Sequence, residues 1–169
     1  MTKPTSPSII PEDLVETTWQ EVAVMPEEKA LIEMDRVSKA QPDLLAFVFA
    51  DTEHLGHDAH ELAVYMFFVI LRAFEKHFGK KLKRVDHRTV ARLQKEIEQT
   101  MESLAGADEQ TFQRAAVAQR EKQPFVMRYV VETLFESDEE EIELTEEDQG
   151  ALFLTMKTVT DALNGAAAT

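Results

Sequence analysis

The sequence predicts an all-α protein, a bundle of about seven to eight helices around a central apolar helix at residues 58–78. Apolar residues recur three and four positions apart along most of the chain, which is the helical period. Prolines and glycines fall at the edges of these periodic segments. The one short alternating run, at residues 141–145, lies inside an acidic stretch and is explained better as a loop than as a strand.

The first three helices are predicted at residues 12–24, 27–40 and 43–54. Each begins beside a proline, because a proline in the first turn of a helix gives up no hydrogen bond. These prolines are Pro11, Pro26 and Pro42.

The fourth helix, at residues 58–78, organises the fold. At 100° per residue its polar side chains fall in one narrow arc, and apolar side chains fill the rest of its circumference, so partners must surround it on most sides. The polar arc holds Glu61, Tyr65, Arg72, Glu75 and Lys76. Phe68 lies in the middle of that arc. Either a neighbouring helix covers Phe68, or it is a self-association contact, which predicts a homodimer.

Four more helices are predicted at residues 87–104, 109–122, 125–136 and 146–163, with Gly106, Pro124 and Gly165 at their edges. Gln123-Pro124 repeats Gln41-Pro42, and each pair stands between a charged helix and an apolar one. The chain therefore contains two weakly related three-helix units joined by the helix at 87–104, unless the similarity is chance in an all-helical chain.

Composition limits the classes of protein. The 169 residues are 44% hydrophobic, which predicts one domain at 11–165 between disordered tails at 1–10 and 166–169. The absence of cysteine excludes disulfides and thiol chemistry and favours a cytoplasmic location. The most apolar run, 62–71, is far shorter than the roughly 20 residues that span a bilayer, so no membrane insertion is expected. The five glycines are too widely spaced for a phosphate-binding loop.

Charge is unevenly distributed. The net charge is −14, yet the basic stretch at 76–95 carries eight Lys and Arg residues against one acid, Asp86. The acidic stretch at 138–148 has the opposite character. Nucleic acid is an unlikely partner, because the whole chain is acidic and only Phe78 supplies an aromatic ring near the basic stretch. We expect an acidic protein surface, or a second copy of the chain, to contact Phe68, Lys80, Lys81, Lys83 and Arg84.

A histidine-rich corner is the candidate metal site. His54, His57, Asp58 and Glu61 lie within eight residues, and His57 and Glu61 share a helix face. A helix–turn–helix corner explains the same residues, with Gly56 ending one helix and Asp58 and Glu61 forming a capping box for the next.

The leading hypothesis is a non-enzymatic helical interaction or adaptor module without a cofactor, since no catalytic signature is present. One alternative is a metal-dependent hydrolase or metal sensor that holds a divalent transition metal at the histidine-rich corner. The other is a protein that binds a small apolar ligand between helices, lined by Phe47, Phe67, Tyr65 and Met66.

Overall fold

The computed structural model describes residues 7–104, 122–136 and 144–167. Seven α-helices and one 3-10 turn occur in these ranges, which confirms the all-α bundle. The helices are α1 (Glu12–Ala23), α2 (Glu27–Ala40), α3 (Pro42–Thr52), α4 (His57–Phe78), α5 (His87–Leu104), α6 (Pro124–Phe135) and α7 (Glu146–Ala166), and the 3-10 turn is Gly79–Lys81. The helix predicted at 109–122 lies outside the described residues except for Lys122, and so does the 138–143 part of the acidic stretch.

Two helices share the centre of the bundle. In α4 the large apolar side chains Met66, Phe67 and Phe74 are fully buried, as the apolar pattern predicts. Helix α7 packs against α4 and is equally enclosed, with α3, α5 and α6 around it. Its buried positions include polar residues such as Thr158 and Thr160, whose hydroxyl groups donate to backbone carbonyls one turn earlier. No helix in the described ranges is long and apolar enough to cross a bilayer.

The two Gln-Pro pairs form equivalent structural locks. Gln41 is buried, donates from Nε2 to the Lys83 carbonyl at 3.0 Å and accepts from the Val85 amide at 2.9 Å. Gln123 is buried as well; it accepts from the Ile10 amide at 3.0 Å and donates to the Ser8 carbonyl at 3.0 Å. Each glutamine thus binds two alternate backbone groups of a segment that leads into a helix, α5 in one case and α1 in the other.

The helix contacts repeat in the same way. Helix α1 packs against α4 as α5 packs against α7, and α3 packs against α4 as α6 packs against α7. The contact of α1 with α6 likewise matches that of α5 with α3. Helix α5 therefore does more than connect two units, because it occupies in the second half the place that α1 occupies in the first. The weak repeat in the sequence corresponds to a repeat in packing.

The described residues at both edges of the predicted domain contact the bundle. Ile10 is fully buried and its amide donates to Gln123. At the other end α7 continues to Ala166, and Ala167 is 4% exposed. Tertiary hydrogen bonds thus hold Ile10 to Gln123 at one edge and Ala166 to Lys83 at the other.

Candidate functional site

The histidine-rich corner is an exposed turn between α3 and α4. His57 Nε2 lies 3.1 Å from Glu61 Oε1, with the two side chains 81% and 65% exposed. His54 follows α3 and is exposed, as is Asp58 in the first turn of α4. The expected capping box is absent at this end of α4, because the helix begins at His57 after Gly56 and has no side-chain cap.

The corner does not gather metal ligands. Across the described ranges, no group of three or more His, Asp or Glu side chains is placed to hold a metal ion. The neighbouring His60, which is not among the predicted ligands, is turned towards α3: its Nδ1 lies 2.8 Å from the Thr52 hydroxyl, and its ring packs on Phe49 at 5.2 Å. What remains of the predicted ligand set is the exposed His57–Glu61 pair.

The residues predicted to contact a self-association partner or an apolar ligand are largely part of the packing. Met66 and Phe67 are fully buried, while Phe47, Tyr65 and Phe68 are half-buried and pack against the core. The surrounding protein therefore covers part of Phe68, and its role in self-association stays a prediction.

The loop between α4 and α5, residues 79–86, presents the predicted basic residues and is called the lysine loop here. It begins at Gly79, whose φ of 56° is a left-handed conformation that favours glycine. Lys83 is held on both sides of its backbone, since its amide donates to the Ala166 carbonyl at 3.0 Å and its carbonyl accepts from Gln41. Val85 anchors the end of the loop in the core. The backbone of the loop is fixed, and Lys80, Lys81, Lys83 and Arg84 are exposed on it.

The lysines of this loop differ from the cations of the polar arc in their pairing within the described residues. Within the described residues Lys80, Lys81 and Lys83 form no ion pair, and Arg84 donates to the Lys39 carbonyl at 2.9 Å. By contrast, the cations of the polar arc and of α2 are matched by carboxylates of α1, α2 and α4. This network contains Glu21, Glu33, Arg36, Arg72, Glu75 and Lys76.

The network holds its carboxylates ionised. Hydrogen bonds from Lys76 and then Arg72 lower the pKa of Glu21 from 4.5 to about 2. The Arg36 guanidinium lowers the pKa of Glu33 in the same manner. Lys76, although it lies in the basic stretch, is therefore used to join α4 to α1. The cations free for a partner begin after it, in the lysine loop.

Two apolar side chains stand exposed on α2. The helix faces the core through Met34 and Val37, which leaves Leu31 and Ile32 66% and 69% exposed. The lysine loop is bonded to the end of this same helix at Lys39, which lies about 12 Å from Leu31 at a rise of about 1.5 Å per residue. Exposed apolar and basic side chains thus occur on neighbouring parts of the surface.

A cleft lies between the end of α3, α5 and α7. It has a volume of about 170 Å³ and is lined by Asp51, His54, Gln94, Ile97, Glu98, Ala151, Leu154 and Thr158. Asp51 is oriented by two donors, the Gln94 amide at 2.9 Å and the Thr155 hydroxyl at 2.6 Å. Of the predicted metal ligands, only His54 reaches this cleft. The other lining residues come from three distant parts of the chain, so no local motif marks them.

Comparisons with known protein families, with curated proteins and with solved structures found no match.

Proposed function

We propose that this helical bundle is a non-enzymatic interaction module that binds an acidic polypeptide segment through the lysine loop. The observation that carries the proposal is the combination of a fixed backbone with exposed lysines that form no ion pair within the described residues. A fixed loop reduces the conformational entropy lost when a partner binds. The cations of the ion-pair network are already neutralised, so the lysine loop is the basic surface that a partner completes.

The partner chemistry follows from what lies beside the loop. Acidic side chains would pair with the lysines, and apolar ones would cover Leu31 and Ile32. The acidic stretch of the chain has this composition, because Ile142 lies among its carboxylates. A second copy therefore supplies a suitable partner, and we propose a homodimer in which the lysine loop of one chain binds the acidic stretch of the other. The location proposed for this module is the cytoplasm, as expected of a chain without cysteine.

Each exposed ion pair contributes only about 0 to 1 kcal/mol and is screened beyond about 8 Å at physiological salt. Binding must therefore come from several pairs together and must weaken as salt is added. Sedimentation at tens of micromolar detects an association of about −6 to −7 kcal/mol. We expect dimers at low ionic strength and monomers at high ionic strength.

The variant for this test is the triple substitution Lys80→Gln, Lys81→Gln and Lys83→Gln, which should reproduce the effect of high salt. Arg84 is kept in the first variant because its contact with Lys39 also holds the loop. The matched control removes the same charge outside the loop, at the exposed residues Arg92, Lys95 and Lys122. If the wild type stays monomeric at low salt, the homodimer proposal is wrong. If the two triple variants associate equally well, the lysine loop does not mediate the association.

A further inference from the structure

The cleft beside Asp51 corresponds to a part of the first half of the bundle that carries different side chains. The register of the two halves is given by buried residues that correspond: Val15 and Val90 in the first helices, and Phe67 and Met156 in the central ones. In this register Trp19 occupies the position of Gln94, and Tyr65 that of Leu154. Two aromatic rings in the first half thus stand where the second half has a smaller amide and an aliphatic side chain. The cleft is where the second half departs from the first.

The charge of the cleft selects the ligand. Neither Asp51 nor Glu98 has a Lys or Arg partner within the described residues, while Asp51 keeps a fixed orientation through Gln94 and Thr155. A carboxylate held by two neutral donors retains lone pairs for a further donor. The ligand that completes this arrangement is a cation with N–H groups.

The walls and size of the cleft limit the rest of the ligand. Ile97, Ala151 and Leu154 give it an apolar side, which suits a hydrocarbon body better than a hydrated metal ion. A cavity of about 150 Å³ lined by apolar side chains accommodates benzene. At about 170 Å³, this cleft fits a ligand of similar size.

We propose that the cleft is a binding site for a small organic cation, a primary ammonium on a short alkyl or aryl body. The ammonium group lies between Asp51 and Glu98, and the body packs on Ile97 and Leu154. This site is separate from the lysine loop and does not depend on the proposed function.

The probe is benzylamine, which is a cation at neutral pH, compared with the neutral benzyl alcohol of nearly the same shape. In an NMR titration of ¹⁵N-labelled protein we expect saturable shifts at the amides of Asp51, Gln94 and Leu154, with a Kd below about 1 mM. Benzyl alcohol should bind at least about tenfold more weakly, since it makes no charge-assisted hydrogen bond.

Two variants locate the site. Glu98→Gln should weaken benzylamine binding about fivefold, a modest factor because the carboxylate is exposed. Glu96→Gln removes the same charge from an exposed position of α5 that does not line the cleft, and should leave binding within about twofold. Leu154→Trp should fill the cleft as an aromatic ring does in the other half and abolish binding.

Three results would overturn the proposal: no saturation at millimolar benzylamine, equal affinity for the alcohol, or equal effects of the two glutamate substitutions. A Leu154→Trp variant that does not fold leaves the ligand comparison and the glutamate pair to decide.

Discussion

Replacing Gln123 with methionine tests whether the glutamine locks hold the fold together. The side chain is 1% exposed and its amide serves three partners at 3.0 Å, the Ile10 amide, the Ser8 carbonyl and Asn164 Oδ1. Methionine has a similar length and fills the space, but it neither donates nor accepts strongly. The substitution therefore isolates the hydrogen bonds from the packing.

The expected loss is about 3 kcal/mol, because each partner left unsatisfied away from water costs about 1 kcal/mol or more. This is a large part of the roughly 5 to 15 kcal/mol by which a domain is stable. The equivalent substitution Gln41→Met breaks two bonds, to Lys83 and Val85, and should cost about 2 kcal/mol.

The assay is urea unfolding followed by circular dichroism, with the midpoint and the slope fitted separately. Gln20→Met, at an exposed position of α1, is the control and should change the unfolding free energy by less than about 0.5 kcal/mol. Should Gln123→Met cost less than about 1 kcal/mol at an unchanged slope, the lock contributes little and the reasoning is refuted.

Three further predictions concern charged groups. The pKa of Glu21 is depressed to about 2, so the stability that its ion pairs contribute is present above pH 4.5 and is lost as pH falls towards 2. Glu21→Gln should therefore reduce the loss of stability in acid unfolding curves, and should lower the unfolding free energy at pH 7 by about 1 kcal/mol after allowance for solvent screening. Lys157 Nζ lies 2.8 Å from Asp161 Oδ1, with side chains 3% and 12% exposed, so Lys157→Met should lower the unfolding free energy by about 3 kcal/mol, and adding Asp161→Leu should recover most of it in urea titrations. His57→Ala should shift stability by less than about 0.5 kcal/mol, because its pair is exposed; a stoichiometric transition metal that is present by elemental analysis in wild type and lost in the variant would instead restore the metal hypothesis.

The helices could be predicted closely because local signals mark them. Periodicity and prolines place α2 at 27–40 with the bounds that the structure has, and periodicity places the start of α5 at residue 87. The helix at 146–163 was predicted, but its central position could not be, since α7 buries threonines whose hydroxyl groups bond within the helix and so carry no apolar pattern. Lys157 is a second example. Its charge predicts an exposed position, but the side chain is buried and forms an ion pair with Asp161 one turn later.

The candidate sites differ in the same way, since some are built from residues close in the sequence and others from distant ones. The basic residues of the lysine loop could be identified because they lie close together in the sequence. The cleft could not be predicted, because Asp51, Gln94 and Leu154 come from three helices. The histidine-rich corner is dense in sequence, yet the helix–turn–helix geometry points His57 and His60 to different partners. The closeness of these histidines in the sequence suggested a metal site, but the described side chains face different partners.

The most direct test of the interaction module is a binding titration with a fluorescent peptide of residues 137–148, followed by anisotropy. We expect the wild type to bind it with a Kd in the range of about 10 to 100 µM at low salt, and the Lys80, Lys81 and Lys83 glutamine variant to bind at least about tenfold more weakly. The control variant with glutamine at Arg92, Lys95 and Lys122 should bind within about twofold of the wild type. Binding that is unaffected by both salt and the loop substitutions, or absent altogether, would contradict the proposal that the lysine loop recognises acidic segments.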